Sequence, residues 1–274
     1  MKRYKKTAFN AKNYANPPIL NGYKYVCGEW NDGFVIEKHS DRSQFVWVPV
    51  LSLASNGTLD GIHYLEKFGR RNYMGDEFSN NGYNEPLTGE LHEQVESILK
   101  YGGFYIARYN ISISPAGKPQ SIKGVMPCVY INFDYAKKVA SNIENNKTVK
   151  SHLIYGAEYD SVLEWFIETG AKTLDEISKD STKWGNHWNT ENSPQKVVET
   201  GSRKEWCANK ICDFAGNVHE WTQEQKIENH RLYHIIRGGN YNFYGDKYPV
   251  AYRYHFPTFF YNDDIGFRSA LCIK

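Results

Sequence analysis

The chain has 274 residues, 41% of them hydrophobic and 23% charged, with a net charge of +2. Such a length buries a real core in one large domain or two small ones. The near-neutral charge gives no basis for nucleic acid or an anionic membrane as the main partner.

The start, Met1-Lys2-Arg3-Tyr4-Lys5-Lys6, is basic, but no apolar run follows it as a secretion signal requires. No stretch approaches the length of a membrane span, so membrane insertion is not expected. Five cysteines without regular spacing predict no disulfide framework. They are expected as small buried hydrophobes in a reducing compartment. The expected location is the cytoplasm, or a larger particle such as a virion in which the protein leaves the cell.

Residues 1–44 are polar and turn-rich, broken at Asn16-Pro17-Pro18 and Asn31-Asp32-Gly33, and predict an N-terminal arm or hairpin with short strands at Tyr23–Cys27 and Gly33–Glu37. A domain over residues 45–274 follows. Phe45-Val46-Trp47-Val48-Pro49-Val50 is a buried strand, aromatic and β-branched and closed by proline. Residues 51–86 are loop-like. Leu91, Val95, Ile98 and Leu99 then mark one face of a helix that stops at Gly102-Gly103, and Gly103–Tyr109 is a second strand. Another strand is expected at Cys128–Ile131. Asp134 is expected to cap a helix running to about Asn145. A third helix covers Ala157–Thr169, with Tyr159, Val162, Leu163, Phe166 and Ile167 inward. Residues 171–210 lack periodicity and predict ordered loops, a pattern often found around an ion.

Two phrases, Arg237-Gly238-Gly239 and Ile265-Gly266-Phe267-Arg268, bracket residues 240–264. Candidate ligand-binding residues in that bracket are Tyr241, Asn242, Phe243, Tyr244, Asp246, Tyr252, Tyr254, His255, Phe256, Phe260, Asn262, Asp263 and Asp264. Rigid aromatics give contact area at low entropy cost, and Asn, Asp and His give adaptable hydrogen bonds. Tyr-Asn-Phe-Tyr and Phe-Phe-Tyr-Asn-Asp-Asp do not keep the two-residue alternation of a half-buried strand, which favours a recognition surface over an aromatic core.

Asp213-Phe214-Ala215-Gly216-Asn217-Val218-His219-Glu220-Trp221 gathers carboxylates and carbonyls closely enough to suggest a structural calcium held by Asp213, Gly216, Val218 and Glu220. The alternative is a turn in which Asp213 and Asn217 hydrogen-bond the backbone above a buried Trp221. Cys207, Cys212 and His219 lack the second pair that a tetrahedral zinc site needs.

Several phrases, in order, resemble the formylglycine-generating (sulfatase-modifying) enzyme family. They are Phe45-Val46-Trp47-Val48-Pro49, Tyr73-Met74-Gly75, Gly103–Tyr109, Tyr155–Trp165, Trp184-Gly185-Asn186, Ala215–Trp221 and the two bracketing phrases. Ala215–Trp221 is the most specific, with His219 where the motif commonly carries tryptophan. The resemblance implies an α+β, C-type-lectin-like fold with short strands, few helices and much irregular loop. The oxidases of the family work through a cysteine pair between the two bracketing phrases, and this chain has none there. A second branch, the variable proteins of diversity-generating retroelements, carries a randomised segment at that place. Its adenine-directed substitutions turn asparagine codons into Tyr, Phe, His, Asp or Ser, close to the residues found here. The expectation is therefore a non-enzymatic binding protein of phage, prophage or bacterial origin, requiring no cofactor, with a protein or glycan ligand on a cell or host surface. The alternatives are an oxidase of the same fold and a structural particle component.

Overall fold

The computed structural model describes residues 17–30, 32–50, 73 and 83–274. The chain forms a mixed α+β, C-type-lectin-like fold built on two sheets. The larger sheet contains β1 (Tyr23–Cys27), β2 (Val35–Lys38) and β3 (Gln44–Pro49). The chain then contributes β4 (Tyr83–Asn84) to the second sheet and helix α1 (Gly89–Tyr101), and returns to the first as β5 (Gly103–Ala107). A small ladder of β6 (Ser112–Ile113) and β7 (Pro119–Gln120) precedes α2 (Phe133–Ala140), β8 (Val149–Leu153), α3 (Gly156–Glu168) and the short α4 (Leu174–Ser178). A hairpin of β9 (Cys207–Ala208) and β10 (Ile211–Cys212) leads to β11 (His219–Glu228), β12 (Arg231–Arg237), β13 (Tyr254–Pro257), β14 (Ile265–Phe267) and β15 (Ser269–Ile273).

The first sheet is antiparallel in the order β1-β2-β3-β5-β15-β8. Helices cover both faces. Val46, Val48, Phe104, Ile106 and Ala270 pack with α1 and α3 on one side, and Phe45, Trp47, Tyr105 and Leu271 pack with α2 on the other. Burial on both faces explains the unbroken apolar run of β3. Gly103 lets β5 approach β3, since a Cβ there would meet the Val48 carbonyl oxygen at 2.3 Å. The hairpin expected within residues 1–44 is β1–β2, and it pairs through β2 with β3, so a boundary at residue 44 falls inside this sheet.

Helix α1 follows its periodicity: Thr88 caps it by accepting from Leu91 N–H, and Leu91, Val95 and Ile98 are buried. Helix α2 differs from expectation. Its cap is Asn132, whose side chain accepts from Tyr135 N–H, and it ends at Ala140. Helix α3 opens on carboxylates: Glu158 accepts from Tyr155 N–H, and Glu85 accepts from Gly156 and Ala157 N–H, satisfying orphan first-turn donors.

The expected strand at Cys128–Ile131 does not form. Cys128 N–H donates to Ile111 and Tyr130 N–H to Asn262, two different segments, and Tyr130 has φ +56°. Cys207 and Cys212 are joined by a disulfide, contrary to the expectation of free thiols. Positive φ at Asn209 and Lys210 makes the tight turn that sets the two residues opposite each other. Cys27, Cys128 and Cys272 are free and pack at or in the core.

The second sheet runs β13-β12-β11-β14, with β14 parallel to β11 and β4 also against β11. Residues 171–210 are ordered by amides. Asn217 accepts from Val198 N–H and Asn186 Nδ2, and donates to the Val198 carbonyl. No helix among the described residues is long and apolar enough to cross a membrane.

Candidate functional site

Beneath the bracketed segment four charged side chains pair in a ring. Arg237, ending β12, donates to Asp160 on α3 at 2.9 Å and lies 3.4 Å from Glu224 on β11. Arg253 donates to Asp160 at 2.6 Å and to Glu224 at 2.8 Å. All four side chains are buried, so their mutual pairing helps offset the hydration each has lost. Arg253 belongs to the segment itself, so the aromatic run is tied to the helix beneath it. Its partners lie far away in sequence, and only the RGG phrase hinted at the arrangement.

A second anchor is Arg268 of the closing phrase. Its Nε and a terminal nitrogen donate to Glu220 at 3.0 and 2.8 Å, and the guanidinium also reaches the carbonyls of Ala107 and Cys212. Asn110 donates to Glu220 at 2.7 Å. The side chains expected to hold calcium make protein contacts here. Glu220 accepts from a guanidinium and an amide, and one Asp213 oxygen accepts from Gly201 N–H at 2.6 Å, while the other is buried with no hydrogen-bond partner among the described residues. Gly216 pairs through its N–H with Gly238, and Val218 is buried. Among the described residues no group of three or more His, Cys, Asp or Glu comes together as a metal site. Burial pushes Asp213 up to about 6, with Gly201 N–H and Arg268 working against the shift.

A third support is His187. Its ring is enclosed by glycines: a Cβ on Gly239 would stand 2.7 Å from Cε1, and one on Gly245 2.8 Å from Cδ2. Gly239 also has φ +71°. Burial lowers His187 to about 4 and the neighbouring His219 to about 3, so both imidazoles are neutral near pH 7. His219 packs its ring 5.7 Å from that of Phe243.

Above these supports the predicted residues divide. Asn242, Phe243, Tyr244, Asp246 and Tyr254 are exposed, Tyr244 at 48%. Tyr252, His255, Phe256, Phe260, Asn262 and Asp263 are half-buried. Tyr241 and Asp264, at 8% and 6% exposure, are not part of a surface. The Tyr241 hydroxyl donates to Asp263, and Asp264 accepts from Asn240 and Asn262, closing the loop from within.

Side chains outside the predicted set join them. Phe259 is 75% exposed, and Tyr261 and Tyr130 are also open. Trp188 is exposed too, and its N–H donates to the Phe243 carbonyl. Phe259 and Tyr261 were visible as neighbours of Phe260, whereas Tyr130 and Trp188 reach the patch only through tertiary hydrogen bonds. The rings form a continuous row. Phe243 to Tyr248 is 4.6 Å, Tyr248 to Tyr252 5.1 Å, Tyr252 to Tyr254 6.4 Å, Tyr254 to Phe256 5.1 Å, and Phe256 stacks on Phe260 at 3.9 Å.

Residues 156–273 match the family model described as the sulfatase-modifying factor enzyme 1-like domain. No curated protein matches the chain. Among solved structures, PvdO from Pseudomonas aeruginosa is similar at 17% identity and a TM-score of 0.52, over 88% of this chain and 98% of that one. Treponema denticola variable protein 1 is 16% identical, TM-score 0.43, over 63% of this chain and 85% of its own. CarF is 15% identical, TM-score 0.46, over 63% and 87%. The PvdO match is one of fold.

Proposed function

We propose that this chain, whose residues 156–273 match the sulfatase-modifying factor enzyme 1-like domain, is a non-enzymatic ligand-binding protein that presents the row of rings from Phe243 to Phe260. One observation carries this. The aromatic side chains stand open or half-open to solvent, while the backbone bearing them is pinned from below by buried Arg253 and the enclosed His187. Such a division lets outward side chains differ without cost to the fold, as a diversified surface of a retroelement variable protein requires. A rigid aromatic surface loses little freedom on binding, which favours affinity. The ligand would be a protein or glycan of a cell or host surface. Singly changing Tyr244 and Tyr254 to Ala and measuring both unfolding and ligand capture tests the division. Loss of stability as large as that of Trp221→Ala would mean that the rings are core.

The family model's own description favours a second reading, an oxidase of this fold. The segment between Gly239 and Ile265 contains no thiol, and the paired Cys207 and Cys212 lie ahead of it. Incubation with a cysteine-containing sulfatase peptide, with and without copper, separates the two. The binding reading expects no formylglycine by mass spectrometry, and catalytic turnover would overturn it.

A further inference from the structure

Cys207 and Cys212 lie outside the surface described above, on a hairpin whose backbone alone sets their sulfurs face to face. Ala208 and Ile211 pair across a two-residue turn, and both turn residues, Asn209 and Lys210, take positive φ, +43° and +66°. Cys207 and Cys212 are the next pair out, directly opposite each other. The Cys212 N–H donates elsewhere, to the Arg108 carbonyl at 3.0 Å. They therefore form a pair of the non-hydrogen-bonded kind, in which facing side chains stand closest.

The hairpin is also held without the bond between them. The Cys212 carbonyl accepts from Arg268 at 2.9 Å, and the Lys210 carbonyl accepts from Arg108 Nε at 3.0 Å. Lys210 Nζ donates to the Asp32 carbonyl at 2.7 Å, and the Asn209 amide to Thr169 Oγ1 at 2.8 Å. Asp213 N–H donates to the Trp206 carbonyl, while Ala208 and Ile211 pack into the core. With a sequence separation of 5, the disulfide closes a short loop and takes less freedom from the unfolded chain than a long-range crosslink does. As a staple the bond adds little to a hairpin already fixed, which directs attention to its chemistry.

The two sulfurs are not equivalent. Cys207 is half-buried, whereas Cys212 is buried at 3% exposure, so an external thiolate meets Cys207 first. The Arg203 carbonyl stands 3.7 Å from Cys207 Sγ, an acceptor in place for the thiol that reduction creates. Cys212, when reduced, becomes a weak donor of the kind that sits comfortably in apolar surroundings.

We propose that Cys207 and Cys212 form a reversible dithiol–disulfide couple, a modification site for thiols of the glutathione class. Cys207 is the exchanging residue and Cys212 the resolving one. A glutathione thiolate attacks Cys207 Sγ; the bond to Cys212 breaks, and Cys212 leaves as thiolate and takes a proton from water. A second glutathione thiolate attacks the glutathione sulfur of the mixed disulfide and releases Cys207, which is protonated in turn. The protein gains two electrons and two protons, and two glutathiones leave as one glutathione disulfide. In the closing direction Cys212 thiolate displaces glutathione from Cys207, with the hairpin register holding it within reach.

The test places the full chain, under native conditions, in buffers of glutathione and glutathione disulfide. Samples are acid-quenched, alkylated and mapped by peptide mass spectrometry, which separates this pair from the free Cys27, Cys128 and Cys272. The bond should open at a rate proportional to glutathione and at least tenfold faster than global unfolding extrapolated from denaturant. Circular dichroism should stay native, and glutathione disulfide should close the pair again. In Cys212→Ser a glutathione adduct should persist on Cys207, and in Cys207→Ser Cys212 should be modified at least tenfold more slowly. Opening only at the unfolding rate, or no opening at any glutathione ratio, would make the bond a structural staple and overturn the proposal. So would a dithiol form that loses its native dichroism, failure to close again, or equal reactivity of the two cysteines. The wild-type kinetics decide the matter even where a serine variant fails to fold.

Discussion

Arg253 reaches out of the aromatic segment to Asp160, a terminal nitrogen 2.6 Å from a carboxylate oxygen across 93 positions of sequence. The same guanidinium bonds Glu224, so one side chain of the segment is held by two others that never see water. Breaking a buried pair from one side leaves an uncompensated charge and costs about 3–5 kcal/mol. Arg253→Ala should lose that much in a denaturant titration. Arg253→Lys should not restore it, because an ammonium cannot reproduce the fork that serves both acids. Wild-type stability in Arg253→Ala would mean that the ring of charges does not anchor the segment.

The surface and the supports should separate cleanly in one mutational series. Trp221 is fully buried with its indole N–H on the Ile131 carbonyl, and Phe267 is fully buried in β14. Truncating either to Ala should cost about 3–5 kcal/mol. Tyr244→Ala and Tyr254→Ala should cost under about 1 kcal/mol, as most surface changes do. Tyr241→Phe and Asp264→Ala now belong with the supports, each losing a loop-closing hydrogen bond of about 1 kcal/mol or more. Chemical unfolding of all six reads the division directly.

Much of the scaffold was legible because its signals are local. The apolar run of β3, the periodicity of α1 and α3, and the glycine stop after α1 need no distant partner. Less local features were missed. Asn132 caps α2 where Asp134 was expected, because either residue type suits a cap and only backbone position decides. The disulfide went unseen because only the turn at Asn209-Lys210 brings its cysteines together. The site was half visible. Composition picked out its rings, but burial of Tyr241 and Asp264, and the arrival of Trp188 and Tyr130, follow from contacts between remote segments.

Acid should weaken the fold through its buried imidazoles. His187, His219 and His234 are held chiefly by burial at about 4, about 3 and about 4. The unfolded chain protonates them near 6.5, so below that pH it binds more protons than the native state. Their contribution is full above about 6.5 and is lost progressively as pH falls toward 4. Asp213, raised to about 6, acts oppositely, its native form binding the extra proton between about 3.8 and 6. At His152 burial opposes the charge, yet Glu158 and Glu90 raise its pKa. Its contribution is therefore present in acid and fades with rising pH. The three lowered imidazoles pull the melting temperature down between pH 6.5 and 4, against Asp213 and the likewise raised Glu220 and Asp264. His219→Phe should flatten that slope, and an unchanged slope would remove His219 from the account.

The Arg268–Glu220 pair makes the last prediction, on calcium. An ion bound only to the native state stabilises it by mass action, so removing a resident calcium must lower the melting temperature. Here the cation facing Glu220 is covalently part of the chain, with Arg268 Nε and a terminal nitrogen at 3.0 and 2.8 Å. Saturating chelator should leave the melting temperature where it was, and added calcium should not raise it. Glu220→Gln should nevertheless be destabilising, since it leaves Arg268 charged and buried, at a cost of about 3–5 kcal/mol. That loss should be the same with calcium or chelator present. A chelator effect in the wild type that disappears in Glu220→Gln would instead place an ion at this turn.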